Sequence, residues 1–238
     1  MFSLNSIIKY VISSIEEPVK DTKVYKIKPK HGKVFKFSPG QFAFLHILDA
    51  VDQTIVKKPY SIASAPEEEY LEFCIKLVDG ELTSKLAKLK KGEIVGIEGP
   101  FGHFTYGDET ESAFVAGGTG IAPFISVFRH VTKKKINGKF VLFYSARTLD
   151  QILYRKELQK LEEMNPNITI VITLTREKLK DWDGEYGRIT GDMLYKYTKN
   201  TTDFHWWICG PMEMIKNIKQ NLLVQGVDPE KIKMEGWG

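Results

Sequence analysis

An antiparallel β-barrel followed by a parallel α/β domain is the fold class this sequence predicts, on three observations. Short runs rich in Ile, Val, Phe and Tyr, punctuated by Pro29, Gly32, Pro39-Gly40, Pro59 and Pro66, fill the first part of the chain. Beyond Gly107, short apolar runs alternate with amphipathic helical stretches at the spacing of βα units. A glycine-rich turn joins the first of those runs to the first helix, where parallel sheets carry their tightest connections. The seam falls at residues 105–112, giving one domain over residues 1–107 and a second over 108–238.

Each element has its own signal. Strands are expected over residues 6–17, 20–30, 41–48, 60–65 and 70–78, where β-branched and aromatic residues lie between turn formers. One helix interrupts at about residues 83–90, with Thr83 as its N-cap, before a strand at 94–98. The second half reads as strand 113–116, helix 121–134, strand 140–145 and helix 150–164. Strand 168–174, helix 191–197, strand 205–209 and helix 212–224 follow. Strands and helices in strict alternation make a Rossmann-like α/β sheet with helices on both faces.

Composition narrows the function classes. Hydrophobic residues are 42% and charged residues 27% of 238, the balance of a folded globular chain rather than a disordered one. No apolar run approaches the ~20 residues that span a bilayer, and no basic segment leads into an apolar stretch near Met1, so a cytoplasmic protein without membrane insertion is expected. The two cysteines, Cys74 and Cys209, are too few for an all-cysteine iron–sulfur cluster. The five histidines are scattered without ligand spacing, and no metal site is expected. Net charge is +4, but glutamates are interspersed among the lysines, which reads as a solvated surface rather than a nucleic-acid site. Only five of the 34 basic residues are arginine, so where they fall carries information.

Four segments can carry chemistry. Ala116-Gly117-Gly118-Thr119-Gly120-Ile121-Ala122-Pro123 sits between a strand and a helix. Glycines there let the backbone approach a ligand, and free N–H groups at the helix start favour phosphate. Pro123 stands where the usual glycine motif has its last Gly, a position proline tolerates in a first helical turn. Cys209-Gly210-Pro211-Met212 closes a later parallel strand at the crevice position, although a lone cysteine there also serves as a small buried hydrophobe. Lys58-Pro59-Tyr60-Ser61 offers a cation, an aromatic face and a hydroxyl, and equally an ordinary edge strand. Gly80-Glu81-Leu82-Thr83 is a turn feeding a helix start.

Together these segments resemble the ferredoxin–NADP⁺ reductase family of flavoprotein oxidoreductases, over residues 7–238. The flavin signature Arg-x-Tyr-Ser-x-x-Ser is met as Lys58-x-Tyr60-Ser61-x-x-Ser64, and the pyrophosphate turn at Gly80, Glu81, Leu82 and Thr83. Gly-Pro-x-Gly-x-Phe appears as Gly99-Pro100-Phe101-Gly102-His103-Phe104, and Cys-Gly-Pro-x-x-Met at Cys209, Gly210, Pro211 and Met214. Lys58 departs from the pattern: it keeps the charge of the family arginine and loses its bidentate fork.

The resemblance implies an FAD-dependent NAD(P)H oxidoreductase of the bacterial ferredoxin/flavodoxin-reductase type, with FAD rather than FMN. Hydride would pass between nicotinamide and flavin, and electrons onward to a small acidic carrier such as ferredoxin or flavodoxin. It places Lys58, Pro59, Tyr60, Ser61, Ile75, Lys76, Gly80, Glu81, Leu82, Thr83 and the terminal aromatic Trp237 around the flavin. Ser61, Cys209 and Glu235 become the catalytic set. Gly118, Thr119, Gly120, Arg147, Arg176, Arg188, Cys209, Gly210, Pro211 and Met212 hold the nicotinamide nucleotide. The three arginines resemble those of NADP-type bacterial reductases, so NADPH is favoured over NADH. The alternatives are a flavin-binding subunit of a larger electron-transfer complex, and a free-flavin reductase.

Overall fold

The computed structural model describes residues 7–237, with the Trp237 side chain outside the description. The N-terminal half holds strands β1 (Ile8–Val19), β2 (Thr22–Pro29), β3 (Phe42–Leu48), β4 (Thr54–Ser61), β5 (Leu71–Lys76) and β6 (Ile94–Phe101), with helix α1 (Glu81–Leu86). They form one antiparallel sheet in the order β4-β3-β6-β1-β2-β5. The sheet curls until its ends meet, where the Ala63 N–H beyond β4 donates to the Glu72 carbonyl of β5 at 2.8 Å. Period-two alternation decides which residues fill it. Ala43, Leu45 and Ile47 of β3 join Tyr10, Tyr25, Phe73 and Ile97 in the barrel core. Phe42 and Phe44 stay half-buried and meet Phe101 edge-on or tilted, at centroid distances of 5.5 to 5.9 Å.

The C-terminal half runs β7 (Glu111–Gly117), α2 (Ala122–Lys134), β8 (Lys139–Ala146), α3 (Arg155–Met164), β9 (Ile168–Leu174) and β10 (Glu185–Tyr186). It continues through α4 (Gly191–Thr198), β11 (His205–Pro211), α5 (Met212–Val224) and β12 (Ile232–Trp237). All six strands are parallel, in the order β10-β9-β8-β7-β11-β12. Alternate strand residues feed two cores. Phe114, Phe140, Leu142 and Tyr144 pack under α2 and α3, and Ala113, Val115, Val141 and Phe143 under α4 and α5. The first of these cores runs on into the barrel through Val24, Ala63, Cys74 and Phe104, so the two halves share apolar packing. No helix among the described residues is long and apolar enough to cross a membrane.

The elements differ from the sequence expectation in five places. β4 begins at Thr54 rather than residue 60 and contains Lys57, Lys58 and Pro59. It is an edge strand, where lysine and proline are tolerated because one side of the ladder is open. The expected helix 150–164 splits into a 3-10 turn (Leu149–Gln151) and α3, because Tyr154 adopts a left-handed backbone at φ 56°. The N-cap of α1 is Gly80, and Thr83 lies inside the helix with its hydroxyl donating to the Val78 carbonyl at 2.5 Å. β10 and β12 are additions to the expected elements, since β10 is two residues long and Lys233, Glu235 and Gly236 dilute the strand pattern of β12. The expected start of the first strand at residue 6 lies outside the described residues.

Candidate functional site

The sheet reverses its strand order between β7 and β11, and the crevice outside the carboxyl ends of those strands is where open α/β sheets hold ligands. Two of the singled-out segments converge there. A Cβ on Gly210 would come 3.2 Å from the Gly117 nitrogen and 2.6 Å from Met214 Cε, so a side chain there would crowd both the glycine loop and the Met214 side chain. Gly118 has φ +55° and open space where a Cβ would stand, which leaves its backbone accessible. A 3-10 turn (Gly118–Ile121) then leads into α2, with Pro123 in the first helical turn, and this turn sits against β5 of the barrel.

A cleft of about 660 Å³ opens at this point. One wall brings Gly118, Thr119, Arg147, Arg176, Arg188 and Pro211 together from five separate segments. Arg147 follows the end of β8 and Arg176 lies two residues past β9. The ladder continues beyond both strands, with the Arg176 N–H donating to the Arg147 carbonyl at 2.9 Å, so the two exposed arginines lie on adjacent chains. Arg188 donates to Glu213 Oε1 at 3.1 Å across the same cleft. The opposite wall belongs to the barrel: Val19, Lys20, Asp21 and Thr22 of the β1–β2 hairpin, with Lys76. The hairpin carries no sequence signal beyond an ordinary turn, and neither do Asp150, Leu153 or Asn217, which also line the cleft.

Other site residues are not part of this cleft's lining. Gly120 and Gly210 are buried, and Met212 is exposed at the start of α5. Cys209 is fully buried and pairs in register with Glu235 of β12. Burial pushes the Cys209 thiol above its ordinary range, with the Glu235 carboxylate adding to the effect, so it is held as the neutral thiol. Burial likewise raises the Glu235 carboxyl, and among the described residues its Oε2 has no hydrogen-bond partner. A buried carboxylate oxygen left unpaired suits a site completed by a polar ligand.

In the barrel, Lys58, Pro59, Tyr60 and Ser61 run along β4, opposite Leu45, Phe44, Ala43 and Phe42 of β3. Lys58 and Pro59 are exposed, Ser61 is half-buried, and burial pushes the Tyr60 hydroxyl up to about 12. Helix α1 packs on β3 and β4, which sets the Gly80-Glu81 turn on the same region of the barrel as Lys58 and Ser61. Gly80 and Glu81 are exposed there. Ile75 and Leu82 have side chains in the barrel core, and the Thr83 hydroxyl is engaged by the turn carbonyls of Val78 and Gly80. Lys76, expected beside the flavin, lines the interdomain cleft. The covering role expected of Trp237 concerns a side chain outside the described residues.

Comparison with known proteins follows the same division. Residues 9–106 match the oxidoreductase FAD-binding domain, and residues 114–220 the oxidoreductase NAD-binding domain. A Na(+)-translocating NADH-quinone reductase component from Pseudomonas aeruginosa (strain UCBPP-PA14), one subunit of that enzyme, is 30% identical over 96% of this chain and 59% of its own length. Its counterpart from Methylococcus capsulatus is 32% identical over 76% of this chain and 49% of its own, so the chain spans about half the length of such relatives. The FAD/NAD-binding domain of a nitric oxide dioxygenase from Vibrio cholerae superposes with a TM-score of 0.87 at 18% identity, covering 97% of this chain and 98% of that one. A ferredoxin NADP+ reductase from Neisseria gonorrhoeae, solved with bound FAD and NADP, gives 0.82 at 21% identity, with coverage of 97% and 98%. The chain therefore joins an oxidoreductase FAD-binding domain to an oxidoreductase NAD-binding domain, in the two-domain fold that the ferredoxin NADP+ reductase shares.

Proposed function

We propose that this protein is an FAD-dependent NAD(P)H oxidoreductase that delivers electrons to a small acidic carrier of the ferredoxin or flavodoxin kind. The domain division at residues 107 and 108 is part of this reading, with flavin held by the first and nucleotide by the second. Bound FAD supplies the chemistry, taking a hydride from nicotinamide and releasing electrons singly. The chain supplies binding and alignment. Lys58 balances phosphate charge, Tyr60 offers an aromatic face, and Ser61 a hydroxyl. The exposed backbone of Gly80 and Glu81 receives the pyrophosphate. Cys209 and Glu235 form the buried wall where the nicotinamide end of the nucleotide is placed, and burial disfavours charge on both. The net charge of +4 suits an acidic partner, because complementary charge speeds encounter.

The observation that carries this reading is the cleft that Gly118 and Thr119 line together with Arg147, Arg176 and Arg188. A glycine loop at a strand end takes pyrophosphate, and guanidinium forks take a 2′-phosphate. NADPH is therefore favoured, since Arg147 and Arg176 lie side by side in the cleft while Arg188 is paired with Glu213. The name of the Pseudomonas relative supports a second reading, an NADH-oxidising subunit of a larger complex, and Asp150 in the same cleft offers a carboxylate for a ribose hydroxyl. Two buried, unpaired cysteines fit the cytoplasmic placement that belongs to the first reading.

Anaerobic titration of the purified protein with NADPH and then NADH, followed by flavin absorbance, tests these readings. Selective bleaching by NADPH supports the favoured one. Bleaching by NADH alone keeps the oxidoreductase and removes the 2′-phosphate assignment. A yellow protein reduced by neither points to a subunit that needs its complex, and flavin lost on dialysis to a free-flavin reductase.

A further inference from the structure

Tyr144, on β8 beneath the glycine loop, is fully buried and lines no cleft itself. Its hydroxyl donates to the Gly118 carbonyl at 3.2 Å, 26 residues away in sequence, and accepts the Leu153 N–H at 3.3 Å. Gly118 and Leu153 both line the interdomain cleft, so one hydroxyl ties two pieces of its wall to the sheet. Burial keeps that hydroxyl protonated, and therefore a donor to Gly118.

The consequence follows from peptide geometry. The 118–119 peptide is planar and trans, so its C=O and N–H point in opposite directions. With the Gly118 carbonyl drawn inward onto Tyr144, the Thr119 N–H is directed the other way, toward the cleft that Thr119 lines. Gly118 has φ +55° and no side chain to hold this peptide, so Tyr144 anchors the 3-10 turn at its first residue. We propose that Tyr144 is a positioning residue of the nucleotide site, fixing the Gly118–Thr119 peptide so that the Thr119 N–H meets a pyrophosphate oxygen. This rests on reading the cleft as the nicotinamide-nucleotide site.

The natural control is Tyr154. It is also a tyrosine withdrawn from solvent near the same helix start, but its hydroxyl donates to Glu72 Oε1 in the barrel at 3.0 Å and does not touch the loop. The test compares Tyr144→Phe and Tyr154→Phe in the flavin-loaded protein, by calorimetric binding of NADP⁺, by KM and kcat for NADPH, and by amide hydrogen exchange at Thr119 and Gly120. Tyr144→Phe should weaken NADP⁺ binding and raise KM about tenfold, with kcat within about twofold, and should lose most of the protection that saturating NADP⁺ confers on the Thr119 amide. Tyr154→Phe should leave all of these near wild type. Protection of the Thr119 amide by saturating NADP⁺ that is as strong in Tyr144→Phe as in wild type overturns the positioning role. Equal losses in both variants overturn it too, because they report general loosening. A wild-type protein that binds neither NADP⁺ nor NAD⁺ overturns the reading of the cleft and the role with it.

Discussion

The Arg129 guanidinium of α2 reaches the Glu72 carboxylate of β5 at 3.1 Å, joining the two domains through a charge pair almost closed to solvent. The same guanidinium donates to Glu157 at 2.5 and 2.9 Å and to the Ala63 carbonyl at 3.1 Å. Tyr154 adds a further donor to Glu72. Burial lifts the Glu72 carboxyl above its ordinary range, and Arg129 and Tyr154 pull against that lift. α2 begins directly after the glycine loop, so this network holds the loop's helix against the barrel wall that lines the cleft from the other side.

Breaking one side of this pair should cost more than removing charge from both. Arg129→Met leaves the buried Glu72 carboxylate with only the Tyr154 hydroxyl and Lys26, at 3.7 Å, as partners, and should lower the unfolding free energy by about 3 kcal/mol. Adding Glu72→Gln, which keeps a partner for the Tyr154 hydroxyl, should recover roughly half of that loss. Urea melts of the two variants decide it. A double variant less stable than Arg129→Met would show that Glu72 contributes through contacts other than its charge.

The glycine loop and the arginines were legible in the sequence because loops at strand ends keep their residues contiguous. Gly118 and Thr119 arrive with Arg147, Arg176 and Arg188 in one cleft, as the βα rhythm implies. The far wall was not legible. Lys20 and Asp21 belong to a hairpin that is distant in sequence from the loop, and only the docking of barrel against α2 brings them across. Strand pairing with Thr22 sets Lys76 beside the hairpin on this wall, a neighbour that the residues around it in sequence do not announce. β12 escapes for a local reason, since a parallel edge strand with Lys233 and Glu235 lacks the apolar run of β7 or β11. Tyr144 looks like any core aromatic; its hydroxyl partners are backbone groups that no residue pattern announces.

Nucleotide choice should turn on Arg176. Arg176→Ala removes a guanidinium that is exposed to the cleft, so its loss should leave folding nearly untouched. The KM for NADPH should rise about tenfold or more, the size of one charge-assisted contact to phosphate, while the KM for NADH stays near wild type. Steady-state kinetics with both nucleotides check this. Equal changes for the two would assign Arg176 to the part of the cleft they share.

Glu235 should give stability a particular pH dependence. Its folded pKa is raised by burial, so between the unfolded and folded values the native state holds a proton that the unfolded chain releases. Stability from this group is therefore present below the ordinary carboxylate pKa and falls as pH rises through the raised one. Glu235→Gln stays neutral at every pH. The variant should match wild type in urea midpoint near pH 4 and exceed it near pH 7. A difference that is the same at both pH values would mean that Glu235 titrates alike in the folded and unfolded chains.

Lys58 supplies the last prediction. It is exposed on edge strand β4, so changing it perturbs no core packing and reports on ligand binding alone. Lysine offers phosphate a point charge, whereas arginine offers two parallel N–H donors in a fixed plane. Lys58→Arg should therefore hold FAD more tightly, by about tenfold in Kd, and Lys58→Ala more weakly by a similar factor. Fluorescence titration of the flavin-stripped protein with FAD, and separately with FMN, measures both. If the phosphate near Lys58 is common to the two flavins, FAD and FMN affinities move together across the variants. A series in which neither flavin responds would place Lys58 away from the flavin phosphate and leave the turn at Gly80 and Glu81 as its anchor.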